Sequence, residues 1–163
     1  LDYPGRVTRA GAISAPIVGS SLNILLKVAA LNWIQLAQRL PFLTHVIVRS
    51  LIQLNTARDS ERVRKMLLHD VNRTSMESFF RSIGDLRHID LRSQLSELRI
   101  PILGVSGKAD NIVDPNQVDL ITQNVSSSQV EVMALSRHFP MLDEPTTFNA
   151  TIRQFLDAES SAT

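Results

Sequence analysis

The chain contains no cysteine, which excludes disulfides, thiolate zinc centres and a cysteine nucleophile, and fits a reducing compartment such as the cytoplasm. With one Trp and one Tyr in 163 residues, it lacks the aromatic platform on which single-stranded nucleic acid stacks. It also lacks a charge excess of one sign. Seventeen basic residues stand against sixteen acidic ones, and a net charge of +1 supplies no field to recruit nucleic acid or an anionic membrane. No long hydrophobic run is present. The most apolar stretch, Ile24 to Leu40, is interrupted by Lys27, Asn32, Gln35, Gln38 and Arg39, whereas a bilayer span needs about 20 mainly apolar residues. His45, His69 and His88 have no partner at metal-ligand spacing, and Lys108 lacks the glycine spacing of a phosphate loop. Neither a metal nor a cofactor is expected.

What remains is ordinary globular composition, 44% apolar and 20% charged, enough for one core. Residues 1–10 lack the charged and apolar blocks of a signal peptide, and a chain opening on Leu1 reads as one whose beginning lies elsewhere. Three short runs, 7–14, 100–106 and 129–135, have the length and punctuation of parallel strands. Between the first two, the pattern predicts four helices. Apolar residues recur at helical spacing from Leu22 to Leu40, and Thr44 to Leu54 follows after Pro41. A third helix begins at Asp59 or Ser60 and turns Val63, Met66, Leu67 and Val71 to one face; a fourth, capped by Thr74 or Ser75, ends at Gly84. Asp114-Pro115 opens a further helix with Val118, Leu120, Ile121 and Val125 as its apolar side. The last helix starts near Pro145 and is expected to bury Phe148, Ile152, Phe155 and Leu156, with Asp143 and Glu144 as its capping acids.

The chemistry gathers at one rim. Asp110 follows the strand that ends at Gly107, and His138 follows the strand ending near Leu135, 28 residues later, so one crossover sets both past the carboxyl ends of neighbouring strands. There, a carboxylate can fix the tautomer of an imidazole whose other nitrogen takes a proton. Asp114 has a separate use as the cap before Pro115, which leaves the acid's role to Asp110.

The run Gly107-x-x-Asp110, Ile112-Val113-x-Pro115, Ser136-x-His138-Phe139-Pro140-Met141-Leu142-Asp143-Glu144-Pro145 and Phe148-x-x-x-Ile152-x-x-Phe155-Leu156 resembles the carboxyl-terminal part of an α/β-hydrolase. The resemblance is specific over 98–156. It implies an α/β fold with part of a parallel sheet, the core at 1–16 and 89–163, and a helical cap at 17–88. It also implies Asp110 and His138 as acid and base of a triad. The Gly-x-Ser-x-Gly of the nucleophile elbow does not occur, since Gly104-x-Ser106-Gly107 has the wrong spacing inside the acid's strand. The resemblance therefore implies a missing amino-terminal part that carries the nucleophile. The expected partner is a small or medium apolar substrate, most simply an ester, lined by Trp33, Phe79, Phe80 and Phe139. An aspartate nucleophile would make it a haloalkane dehalogenase or epoxide hydrolase, and the fold also hosts cofactor-free oxygenases and non-catalytic binding modules.

Overall fold

The structure is a computed structural model and describes residues 5–22, 46, 49, 50, 52–54, 56, 61–73 and 75–158. Its centre is a parallel three-stranded sheet in the order β1 (Ala10–Ile13), β2 (Ile102–Gly107), β3 (Ser128–Met133). The register aligns Ile13 with Val105 and Gly107 with Met133. Every residue of β2 is buried, which is why its sequence is a continuous apolar and small-residue run rather than an alternating one. Its two faces feed separate clusters. Ile102 packs with Ile17, Leu95, Ile121 and Val125 on one face, and Leu103 and Val105 pack with Met133 and Phe155 on the other.

β1 stops one residue short of the expected Ser14. That residue is buried in a left-handed conformation (φ 44°), which an L side chain seldom adopts in a strand, and its N–H still donates to the Val105 carbonyl at 2.7 Å. The chain then continues through the short 3-10 turn Gly19–Ser21 to Leu22. Leu22 does not begin a helix, as its periodicity predicts; it is buried in an extended conformation and bridged to Val113. The segment Ile17–Leu22 lies along the segment that leads back to β2. Gly19 N–H donates to Ile89 at 2.8 Å, Leu91 N–H donates to Ile17 at 3.0 Å, and Val18 is bridged to Asp90. A Cβ on Gly19 would stand 2.6 Å from the Arg87 carbonyl oxygen, so this close approach requires glycine.

Of the helices expected between β1 and β2, the one predicted from Leu22 to Leu40 lies, beyond Leu22 itself, outside the described residues, and the next is described as helical at positions 46, 49, 50 and 52–54. The helices α1 (Glu61–Asn72) and α2 (Met76–Leu86) follow. Ser75 caps α2 by accepting from Ser78 N–H, and the helix runs two residues past Gly84 before it ends. Met66, expected on a buried face, is 46% exposed. The short α3 (Arg92–Leu95) buries Leu95 ahead of β2. Asp114 caps a 3-10 turn, Pro115–Val118, that runs into α4 (Asp119–Asn124), and Val118, Ile121 and Val125 are buried as their spacing requires. After β3 come α5 (Pro140–Asp143) and α6 (Pro145–Asp157). Phe155 is buried in α6, but Leu156 is 57% exposed, because the helix presents only its Phe148, Ile152 and Phe155 side to the sheet. No helix among the described residues is long and apolar enough to cross a membrane.

Candidate active site

The carboxyl ends of β2 and β3 carry the two residues that the rim argument singles out. Beyond Gly107 the chain turns sharply, Asp110 N–H donating to the Gly107 carbonyl at 3.1 Å, and the Asp110 side chain is buried beneath the turn at 1% exposure. Its Oδ1 accepts from the backbone N–H groups of Ile112 at 2.8 Å and Val113 at 3.1 Å. Its Oδ2 lies 2.9 Å from Nδ1 of His138. A buried carboxylate with every partner in place is held in one orientation. With Asp110 ionised, Nδ1 is the donor, and the imidazole is fixed in the tautomer that leaves Nε2 to accept a proton.

His138 is half-buried, and the Phe139 ring meets it edge-on, 5.0 Å between centroids at 74°. Among the described side chains, Phe139 is thus the expected lining residue that stands against the imidazole. Phe79 and Phe80 fall on α2, but their side chains are not among those described, and Trp33 lies outside the described residues.

The loop bearing His138 is clamped from both sides. On the acid's side, Lys108 N–H donates to Met133 at 2.9 Å and Ala109 N–H to Ser136 at 3.0 Å. A Cβ on Gly107 would stand 2.6 Å from the Ser136 carbonyl oxygen, and closer still to that of Arg137, so the two loops touch backbone to backbone. On the other side, Asp143 and Glu144, expected as capping acids of α6, bond back to the His138 loop. Glu144 occupies the N-cap position without a side-chain cap bond. Its Oε2 accepts instead from Leu135 N–H at 3.0 Å and from the Ser136 hydroxyl at 2.6 Å, and Asp143 Oδ2 accepts from Arg137 N–H at 2.9 Å. The Arg137 guanidinium donates to the Leu54 carbonyl at 2.6 Å, joining the His138 loop to the segment between β1 and β2.

Gln117 is a residue that sequence reasoning missed. It is buried, and its Oε1 accepts from both Ile17 and Val18 N–H at 2.7 Å, tying the segment after β1 to the turn that follows the acid loop. A glutamine within an apolar helical pattern is the only sequence signal for it. Among the described residues no group of histidines and acids could hold a metal.

Solved structures share this arrangement of sequential parallel strands and flanking helices. The chain has the α/β-hydrolase fold. It superposes on an esterase from Exiguobacterium antarcticum with a TM-score of 0.78 at 16% identity, covering 94% of this chain and 58% of that one. An α/β hydrolase from a Medee basin deep-sea metagenome library matches at 0.70 and 19%, over 94% and 57%. In sequence, it is 28% identical over 100 residues to the pimeloyl-[acyl-carrier protein] methyl ester esterase of Aeromonas hydrophila subsp. hydrophila, over 61% of this chain and 39% of that protein. The chain spans about two fifths of the length of the curated relatives it matches. No family model matches it.

Proposed function

We propose that this chain supplies the acid and the general base of a hydrolase that cleaves a small or medium apolar ester. In this reading, residues 17–88 form the helical cap, and the nucleophile and oxyanion donors come from protein outside these 163 residues. The observation that carries the reading is the 2.9 Å contact between a buried, doubly anchored Asp110 and Nδ1 of His138. In such a pair the carboxylate holds Nδ1–H and steadies the imidazolium. Nε2 takes the proton of the nucleophile's hydroxyl as its oxygen attacks the ester carbonyl, then returns that proton to the departing alcohol. A water activated by the same nitrogen releases the acid and restores the nucleophile. Asp110 stays ionised throughout; its role is orientation and charge balance.

The similar proteins from Aeromonas hydrophila and Exiguobacterium antarcticum are esterases, which supports an ester as the bond cleaved. Phe139, edge-on to the imidazole, supplies one apolar wall, and Trp33, Phe79 and Phe80 are proposed to complete the lining. The cytoplasm fits a chain without cysteine.

The test is hydrolysis of p-nitrophenyl butyrate by the purified chain, alone and fused to an amino-terminal α/β-hydrolase half that carries a nucleophile elbow. The chain alone is expected to show no turnover, because a base and its orienter have only water to activate. The fusion is expected to turn over, and to lose at least about a thousandfold on His138→Ala. Turnover by the isolated chain that vanishes in His138→Ala would refute the placement of the nucleophile. A fusion indifferent to His138→Ala would refute the role of the base.

A further inference from the structure

We infer that Glu144 is a positioning residue for His138, acting through Ser136. This rests on the acid–base reading of Asp110 and His138 and concerns what sets their separation. Ser136 is fully buried two residues before the imidazole, and it is bonded on both sides. Its carbonyl accepts from Ala109 N–H, the residue before Asp110, at 3.0 Å, and its hydroxyl donates to Glu144 Oε2 at 2.6 Å.

The loop cannot settle closer to the acid, because the Ser136 and Arg137 carbonyls already rest on Gly107. It is kept from moving away by Glu144, whose same oxygen also takes Leu135 N–H at 3.0 Å. Two donors on one carboxylate oxygen, the Leu135 N–H and the Ser136 hydroxyl, pin the Ala134–Leu135 peptide and the Ser136 side chain, and hence the direction in which the chain presents His138. A carboxylate accepts such bonds more strongly than a neutral oxygen. The same acid turned toward α6 would have satisfied helix N–H groups and left the loop to water. Glu144 therefore trades a local cap for a tertiary hold on the segment that carries the base.

The tautomer of His138 is the readout that separates positioning from simple structural support. In the chain labelled with 15N-histidine, long-range 1H–15N spectra should show one tautomer for His138, protonated at Nδ1, with a downfield Nδ1 proton that Asp110→Asn abolishes. Ser136→Ala and Glu144→Ala are expected to lose that proton and to show a mixture of tautomers. Glu144→Gln, whose amide oxygen can accept from the same two donors, is expected to retain it. Ser128→Ala is the matched control. It removes a serine hydroxyl bonded at the same 2.6 Å, to Val125, at the opposite end of β3, and should leave the signature unchanged. Persistence of the Nδ1 proton in Ser136→Ala overturns the inference even if Glu144→Ala does not fold, as does its loss in Ser128→Ala. Absence of the proton from the unsubstituted chain overturns the acid–base reading itself, and this inference with it.

Discussion

Replacing Gly107 by alanine should cost more than its one methyl group implies, because the new Cβ meets backbone rather than side chain. The Ser136 carbonyl oxygen would lie 2.6 Å from it, against 3.4 Å at the near limit of ordinary contact, so the His138 loop must retreat by at least about 0.8 Å, and by more to clear the still closer Arg137 carbonyl oxygen. That retreat stretches the Lys108 to Met133 and Ala109 to Ser136 bonds, now 2.9 and 3.0 Å. Overpacking against a well-ordered interior costs about 1–3 kcal/mol. Two weakened backbone bonds add about 1 kcal/mol each at most, and restriction of the unfolded chain returns about 0.4–1 kcal/mol. The expected net loss is about 3 kcal/mol. Gly104→Ala, three residues earlier in β2, is the reference, since its Cβ meets the tips of Ile121 at 2.9 Å and Val130 at 3.3 Å, which can shift; it should cost about 1 kcal/mol or less. Urea unfolding followed by far-UV circular dichroism measures both. If the two variants unfold within about 1 kcal/mol of each other, the backbone-contact argument is refuted.

Two further outcomes follow from burial and charge. Phe155→Ala should lose about 3–5 kcal/mol, because the ring is buried among Leu103, Val105 and Met133, while its neighbour Leu156→Ala, largely exposed, should stay within about 0.5 kcal/mol in the same assay. The Arg92 guanidinium, bonded to Asp90 at 2.6 and 2.9 Å, holds that carboxyl below its ordinary value of 3.8. A depressed carboxyl contributes stability that is present above the unfolded value and fades as pH falls through the native one. The unfolding midpoint of Asp90→Asn should therefore converge on that of the unsubstituted chain only in acid below 3.8, and by a small amount, since the pair is exposed and screened by salt. A constant gap down to the lowest pH would contradict it.

The contact between Asp110 and His138 was legible in the sequence for a topological reason. Once two apolar runs are parallel neighbours, the residues just past their carboxyl ends share a rim, and Asp110 and His138 meet there without further assumption. Asp114 before Pro115 was equally readable, because a cap acts within its own turn. What periodicity could not reveal was direction. An acid ahead of a helix can turn forward to its own N–H groups or back to another loop, and Glu144 and Asp143 turn back. Leu22 fits a helical stripe as well as it fits an extended bridge, and its long-range partner Val113 decided the matter. Leu156 and Met66 were assigned to buried faces by spacing alone, which fixes a helix's apolar stripe only to within one residue at its margins. Gln117 answers to two backbone donors about a hundred positions away, a relation no local window contains.

The pairing of Gly19 with Ile89 and of Ile17 with Leu91 brings the two ends of a long stretch of chain side by side, fastened to each other and, through Gln117 and Val113, to the sheet's own connections. Fastened ends make the stretch between them a cassette. Its fixed ends hold the register of β1 on β2 whatever the length between them, while the Arg137 bond to Leu54 ties the inside of the stretch to the His138 loop. The entropy of closing such a loop grows with the logarithm of its length, each doubling adding only about 0.6 kcal/mol. Exchange of this cassette for one of different size should therefore leave β1 and β2 in register, and the His138 loop would feel it through the loss of the Arg137–Leu54 bond.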